Sequence, residues 1–240
     1  MPSSIAEILQ ELEPERREIL KLESEFAELI KKYDVRARKK NYGQRLSDLL
    51  ARRIAGDLSV SFPQIEAGEK RAGGSKAPIR VDVRYHTKYG LGLGISIKTL
   101  NFRDAASGGY AKNMQRVDKE LRAEAQELHA HQPKAVLGAL ILMPEDARRD
   151  GSGGKTSLAH ALEVFRNRVG RADERGPEER FEVLFVGTYA TDPERFGELA
   201  LHDLEGWSAG EEPPPVRDWS DFLEALRSAF ERRFAVRLKR

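Results

Sequence analysis

Hydrophobic positions along the chain recur with two different periods, which predict both helices and strands. Spacings of three and four residues, typical of amphipathic helices, mark the segments 3–33, 42–58, 110–129, 157–169 and 219–233. Alternation with a period of two marks residues 80–98, and the apolar runs at 135–143 and 181–189 are typical of strands buried on both faces. This order of elements predicts an α/β protein with a mixed sheet and helices on both sides.

The N-terminal segment carries an apolar residue at every seventh position. The members of this heptad series are Ile5, Leu12, Ile19, Phe26 and Tyr33. Pro14 suits the first turn of a helix, so we predict two helices that meet near residue 13. We divide the chain into an N-terminal helical arm, residues 1–41, and a globular domain, residues 42–240. The arm either packs on its own domain or pairs with a second copy in a homo-oligomer, and the pattern leaves both open.

Two other segments show no regular period. Residues 67–78 are rich in glycine and basic residues, and we interpret them as a flexible loop that leads into the segment 80–98. Residues 192–215 are acidic and contain three successive prolines, so we expect irregular structure there.

Composition narrows the class of protein. The chain has 240 residues, of which 33% are charged and 40% hydrophobic, with a net charge of +2 and no cysteine. These values suit a globular protein, and the lack of cysteine excludes disulfides, thiol catalysis and cysteine metal sites. No apolar run approaches the length of a membrane span and no signal-like segment begins the chain, so we expect a cytoplasmic protein without a membrane partner.

Basic residues concentrate between residues 35 and 53, where seven Lys or Arg residues accompany one acid. A local excess of this kind is attracted to a phosphate backbone. Arg45, Arg52 and Arg53 of the predicted helix are therefore candidate nucleic-acid contacts. A solvated helix face would carry the same charges, so both interpretations stay open.

Residues 80–98 carry the candidate chemistry, because their alternation predicts a β-hairpin. In the predicted register, residues whose numbers sum to 178 face each other, which places Asp82 opposite Ser96 with Lys98 as a diagonal neighbour. A carboxylate, a hydroxyl and an ammonium on one face suit a divalent cation beside a phosphate. A cross-strand salt bridge on a solvated sheet face would use the same residues.

The turn and the glycines of this hairpin complete the prediction. Residues 88–90 suit a three-residue turn with Gly90 at the position that needs a positive φ. Gly92 and Gly94 are expected on one face, where they leave room for a large ligand to approach the backbone.

Asp82 and the triplet Ser96-Ile97-Lys98, on consecutive strands, resemble the PD-(D/E)XK superfamily of restriction-endonuclease-like nucleases. In that family an Asp begins one strand of a hairpin and a (D/E)-X-K triplet lies on the next. Two positions depart from the pattern, since Val81 stands where the family often has proline and Ser96 where it usually has an acid. The resemblance implies a restriction-endonuclease-like α/β/α core and a Mg²⁺-dependent (or Mn²⁺-dependent) endonuclease that hydrolyses DNA, in restriction or anti-phage defence.

The resemblance also implies roles for single residues. Asp82, Glu66 from the segment before the hairpin and the backbone carbonyl of Ile97 would hold the metal, with Glu66 compensating for the acid missing at Ser96. Lys98 would orient or deprotonate the water that attacks phosphorus, and Ser96 would contribute a hydroxyl.

The helix that follows the lysine strand can present polar residues to the substrate in this family, so Asn113 and Arg116 are candidate phosphate contacts. Arg116 and Glu120 also have the spacing of an ordinary i,i+4 ion pair, and both interpretations stay open. Two copies joined through the N-terminal arm would bring two active sites to two DNA strands. The alternative function is not enzymatic: the protein would be a non-catalytic nucleic-acid-binding or assembly subunit. In that case the second acid of the motif would have been lost and Ser96 would stand in its place.

Overall fold

The computed structural model describes residues 4–25, 32–71, 80–104, 108–151 and 154–239. Within this part of the chain one sheet contains seven strands in chain order, which are β1 (Glu66–Arg71), β2 (Arg80–Thr87), β3 (Gly90–Thr99), β4 (Val136–Pro144), β5 (Val183–Tyr189), β6 (Leu199–Asp203) and β7 (Val216–Arg217). The central strands β3, β4 and β5 are parallel, and the strands outside them pair antiparallel.

Five α-helices in the described residues cover the two faces of this sheet. They are α1 (Ala6–Glu25), α2 (Lys32–Leu58), α3 (Ala111–His131), α4 (Ser157–Phe165) and α5 (Trp219–Phe234). Helices α1, α2 and α5 share a hydrophobic core with one face, and α3 and α4 share a second core with the other. The predicted α/β fold, a mixed sheet flanked by helices, is confirmed. None of the described helices combines the length and apolar character needed to cross a membrane.

Helix α1 is continuous, so the prediction of two helices that meet near residue 13 was wrong. A proline inside a helix costs about 3 kcal/mol because it removes a hydrogen bond and crowds the preceding turn. Pro14 lies on the exposed side of α1, where water can reach the carbonyl that loses its partner. The buried side offsets this cost through the heptad residues Ile5, Leu12 and Ile19, which are fully buried.

These heptad residues belong to the same core as α2, α5 and the sheet. The arm therefore packs on its own chain, which is one of the two arrangements that the pattern left open. Phe26 and the side chain of Tyr33, which complete the series, lie outside what the structure describes.

Two segments that the sequence pattern assigned to loops contribute strands. The first residues of the predicted loop 67–78 belong to β1, which pairs antiparallel with β2, while 72–79 lie outside the described residues. The segment 192–215 contains β6, which pairs with the end of β5. Both strands are short, and neither sequence alternates apolar and polar residues along its whole length, which is the pattern that marks a strand.

The hairpin has the predicted register as far as Val83↔Ile95, the last pair before the candidate site, whereas Asp82 and Ser96, which were predicted to face each other, are not among its paired residues. The pairs Val83↔Ile95, Arg84↔Gly94 and Tyr85↔Leu93 follow the predicted sum, but His86 pairs with Leu91 and Thr87 with Gly90. One extra residue in β3, Gly92, therefore forms a bulge, and the turn has two residues instead of three.

The bulge also turns Gly92 and Gly94 to opposite faces of the sheet. A Cβ on Gly92 would lie 3.1 Å from Phe230 of α5, whereas a Cβ on Gly94 would lie 3.1 Å from Leu137 in the core under α3. The expectation that the two glycines share one open face was wrong, because the pattern could not reveal the extra residue.

Candidate active site

Two carboxylates meet the three-residue stretch Ser96-Ile97-Lys98 of β3. From β2, Oδ2 of Asp82 accepts a hydrogen bond from the Ile97 backbone N–H at 2.6 Å. From α3, Oε2 of Glu124 accepts one from the Ser96 hydroxyl at 2.9 Å, and Oε1 lies 2.5 Å from Nζ of Lys98. The structure thus places Asp82 beside the segment that contains Ser96 and Lys98. It also places Glu124 there, which the sequence argument did not select.

The alternation of β3 and the path of the chain after it explain this meeting. Ile95 and Ile97 point into the core shared with α2 and α5, so Ser96 and Lys98 point to the opposite face. Since β3 and β4 are parallel, the chain between them must pass over one face of the sheet. Helix α3 in this connection covers the face that carries Ser96 and Lys98. Glu124 lies beside Leu121 on the buried stripe of α3, close enough to the sheet to reach both.

The Lys98–Glu124 ion pair is partly withdrawn from water. Each side chain is 20% exposed, and Ser96 is buried beneath them. Salt screens such a pair less than a pair on the open surface, and a hydrogen bond between two charged groups is stronger than one between neutral groups. The site therefore holds one cationic and two anionic side chains in a half-buried setting.

Glu66 faces a different partner. β1 sets it opposite Arg84 of β2, and the two form an ion pair. The Arg84 side chain is only 7% exposed and its Nη1 has no hydrogen-bond partner among the described residues, whereas Glu66 is half exposed. The contact to Arg84, two residues along β2 from Asp82, gives Glu66 a structural role, and its role as a metal ligand stays a prediction.

The arginines of α2 mostly contact neighbouring elements of the same chain. Arg45 forms an ion pair with Glu15 of α1 at 2.8 Å. Arg53 lies 3.6 Å from Asp57 and also donates a hydrogen bond to the N-terminal segment. Arg52 is exposed and bonds a backbone carbonyl of its own helix. Much of the basic excess is thus matched by acids within the chain, and contact with nucleic acid stays a prediction for all three.

The first turns of α3 lie apart from the site. Arg116 is 63% exposed and pairs with Glu120 at 2.5 Å, which is the ordinary i,i+4 arrangement, and Asn113 is half-buried. Eight residues separate Arg116 from Glu124, or about 12 Å along the helix axis. The structure does not bring Asn113 or Arg116 to the stretch 96–98, so their contact with phosphate stays a prediction.

Glu124 is the functional candidate that sequence reasoning missed. In sequence it belongs to a polar stripe on α3 and lies 26 residues beyond Lys98. Its position between the core residues Leu121 and Ala125 was a signal, because an acid so close to a buried stripe needs a polar partner. The identity of that partner depends on how α3 docks on the sheet, which residue spacing alone does not give.

The chemistry of these donors suits a hard cation. Mg²⁺ is usually held by one or two carboxylates, and it completes its coordination with water and substrate phosphate. Asp82 and Glu124 supply the carboxylates and Ser96 a hydroxyl. The carbonyl of Ile97 points toward β2 with its N–H, since both groups of a strand residue face the same neighbour. Among the described residues, no group of three or more His, Cys, Asp or Glu side chains could hold a metal ion.

Comparisons with known proteins add no family assignment to this geometry. No protein-family model, curated protein or solved structure matches the chain. The function must therefore be inferred from the side chains around Ser96, Ile97 and Lys98.

Proposed function

We propose that this protein is a Mg²⁺-dependent endonuclease of restriction-endonuclease-like architecture that hydrolyses phosphodiester bonds in DNA. One observation carries the proposal, namely that the carboxylates of Asp82 and Glu124 both contact the stretch 96–98, which contains Lys98. In this interpretation Glu124 of α3 replaces the acid that the family usually has at the position of Ser96. The choice of DNA, and a role in restriction or anti-phage defence, follow from the resemblance of Asp82 and Ser96-Ile97-Lys98 to the PD-(D/E)XK superfamily.

The proposal assigns a role to each side chain, and the role of Lys98 follows from the resemblance to the PD-(D/E)XK superfamily. A Mg²⁺ ion held by Asp82, Glu124 and the carbonyl of Ile97 would supply positive charge beside the phosphate oxygens. Lys98 orients the attacking water through Nζ and balances the negative charge that grows on the phosphate. Ser96 fixes the Glu124 carboxylate through its hydroxyl, and the Ile97 N–H fixes Asp82 in the same way.

The direct test is incubation of the purified protein with supercoiled plasmid, in Mg²⁺ and in a chelator. We expect nicked or linear product only with Mg²⁺, and none from Lys98→Ala. Lys119→Ala is the matched control, since Lys119 lies exposed on α3 and should be dispensable. Cutting by Lys98→Ala at the rate of the wild-type protein would overturn the proposal. A single-stranded RNA substrate in a parallel reaction separates a ribonuclease from a deoxyribonuclease.

A second candidate is a non-catalytic nucleic-acid-binding or assembly subunit. It is favoured by the contact between Lys98 and Glu124, because the two side chains satisfy each other's charge without any ligand. A ligand that binds only the folded state raises its stability, so thermal unfolding in increasing Mg²⁺ separates the two functions. A rise in melting temperature that Glu124→Gln abolishes supports the endonuclease, and an unchanged melting temperature supports the subunit.

A further inference from the structure

Both oxygens of the Glu124 carboxylate already have partners. Oε1 lies 2.5 Å from Nζ of Lys98, and Oε2 accepts the hydrogen bond of Ser96 at 2.9 Å. Each of these oxygens keeps a second lone pair, so a divalent cation can reach Glu124, but it then lies close to one of the present partners. How well each partner tolerates the cation determines what happens to Lys98 when the cation binds.

The ammonium is the partner that a bound cation disfavours. A Mg²⁺ ion sits about 2.0–2.1 Å from its oxygen ligands, so an ion on Oε1 would share that oxygen with Nζ and lie close to its positive charge. Two positive charges that close repel each other, and water screens the repulsion only in part where both side chains are 20% exposed. The Ser96 hydroxyl carries no charge, and it can rotate its hydrogen away and remain beside Glu124 as an oxygen donor.

Lys98 is also the member of the site that is free to move. Its ammonium ends a flexible four-carbon stem and reaches solvent. Asp82, in contrast, is tied to the Ile97 backbone N–H at 2.6 Å. A displaced Lys98 ammonium therefore swings toward solvent, the side from which a substrate phosphate approaches.

We propose that Lys98 and a divalent cation compete for Glu124, so that binding of the cation releases the ammonium for contact with phosphate. The inference rests on the proposed function and adds an order of events to it. While Lys98 stays on Glu124 its charge is neutralised, and it becomes available to a phosphate once the cation is in place. The site therefore couples the binding of its metal to the availability of its lysine.

The test measures metal binding without nucleic acid. Mn²⁺ is added to the full chain, and the free ion is counted by electron paramagnetic resonance. We compare the wild-type protein with Lys98→Met, which keeps the length of the side chain and removes its charge, and with Lys119→Met as the matched control. Without its competitor, Glu124 should bind Mn²⁺ about tenfold more tightly in Lys98→Met, a size between those expected for an exposed and for a buried ion pair. Lys119→Met should match the wild-type protein.

A second measurement uses the wild-type protein alone, so it does not depend on the folding of a variant. Reductive methylation of each lysine is followed by mass spectrometry, with and without saturating Mn²⁺. We expect methylation of Lys98 to accelerate when Mn²⁺ binds, because its amine leaves Glu124, and methylation of Lys119 to stay constant.

The outcomes separate this inference from the proposed function. If the wild-type protein binds Mn²⁺ and cuts plasmid, but Lys98→Met binds no more tightly or Lys98 methylation is unchanged, the competition is refuted and the endonuclease stands. If neither the wild-type protein nor Lys98→Met binds Mn²⁺ and no plasmid is cut, both are refuted.

Discussion

Glu182 neutralises a buried cluster of charge at the end of the parallel strands opposite the candidate site. It accepts a hydrogen bond from the Leu137 backbone N–H at 2.7 Å and forms ion pairs with Arg233 at 2.8 Å and Arg171 at 3.3 Å. All three charged side chains are at most 6% exposed. Burial lowers the pKa of Arg171, but an arginine side chain stays protonated at any pH at which the protein folds. Both guanidinium groups therefore share the Glu182 carboxylate as their ion-pair partner.

We predict that Glu182→Gln lowers the free energy of unfolding by about 3 kcal/mol. Removing one partner of a buried ion pair typically costs about 3–5 kcal/mol, because the other charge stays buried without compensation. The lower end applies here because both arginines also donate hydrogen bonds to backbone carbonyls, which the substitution leaves in place. For a chain of this size each kcal/mol shifts the melting temperature by about 2–4 °C, so the expected fall is about 6–12 °C.

The assay is urea unfolding followed by far-ultraviolet circular dichroism, with thermal scans beside it. Glu174→Gln is the matched control, since its ion pair with Lys134 spans 3.9 Å on the surface and should contribute less than about 1 kcal/mol. If Glu182→Gln unfolds within about 1 kcal/mol of the wild-type protein, the cluster does not depend on this carboxylate and the reasoning is refuted.

Three further predictions concern the candidate site and the far edge of the sheet. Glu66→Gln should lower the free energy of unfolding by about 1 kcal/mol through the loss of the Arg84 ion pair, with Mg²⁺ affinity unchanged; a loss of affinity in a Mg²⁺ titration would instead make Glu66 a metal ligand. Glu124→Ser should abolish plasmid cutting. The double variant with Glu124→Ser and Ser96→Asp should cut at least about tenfold faster than Glu124→Ser alone, because one acid can serve the site from either position. Burial lowers the pKa of His202, so below about pH 6.5 the unfolded chain takes up a proton more readily than the folded protein does. The urea midpoint should therefore fall as the pH drops below about 6.5, and a fall of the same size in His202→Asn would contradict this assignment.

The buried strands β2 to β5 and the pairing of β2 with β3 were predictable from sequence, because period-two alternation and apolar runs report burial directly. The register beside Asp82 was also predictable, since one shifted residue would have turned Val83 and Ile95 out of the core. The bulge at Gly92 was not, because a bulge changes which residues face each other without changing the hydrophobic pattern near the site.

Other features depend on contacts between distant segments, which one sequence does not record. Helix α2 begins at Lys32, ahead of its apolar stripe, and its first turns carry cations such as Arg38 that pair with acids of α1. The contact of Glu124 with Lys98 also depends on distant segments, because it forms only when α3 packs over β3. The short strand β6 shows the same limit, since its pairing with β5, and not its own pattern, defines it.

The claim that Asp82, Glu124 and Lys98 form a hydrolytic site is tested most directly by the rate of plasmid cutting in Mg²⁺ by Glu124→Gln. The comparison is Glu120→Gln, one helical turn away on α3, which removes only an exposed ion pair with Arg116. We predict that Glu124→Gln cuts slower than the wild-type protein by about a hundredfold or more, while Glu120→Gln cuts at the wild-type rate. Equal rates for Glu124→Gln and Glu120→Gln would contradict the account.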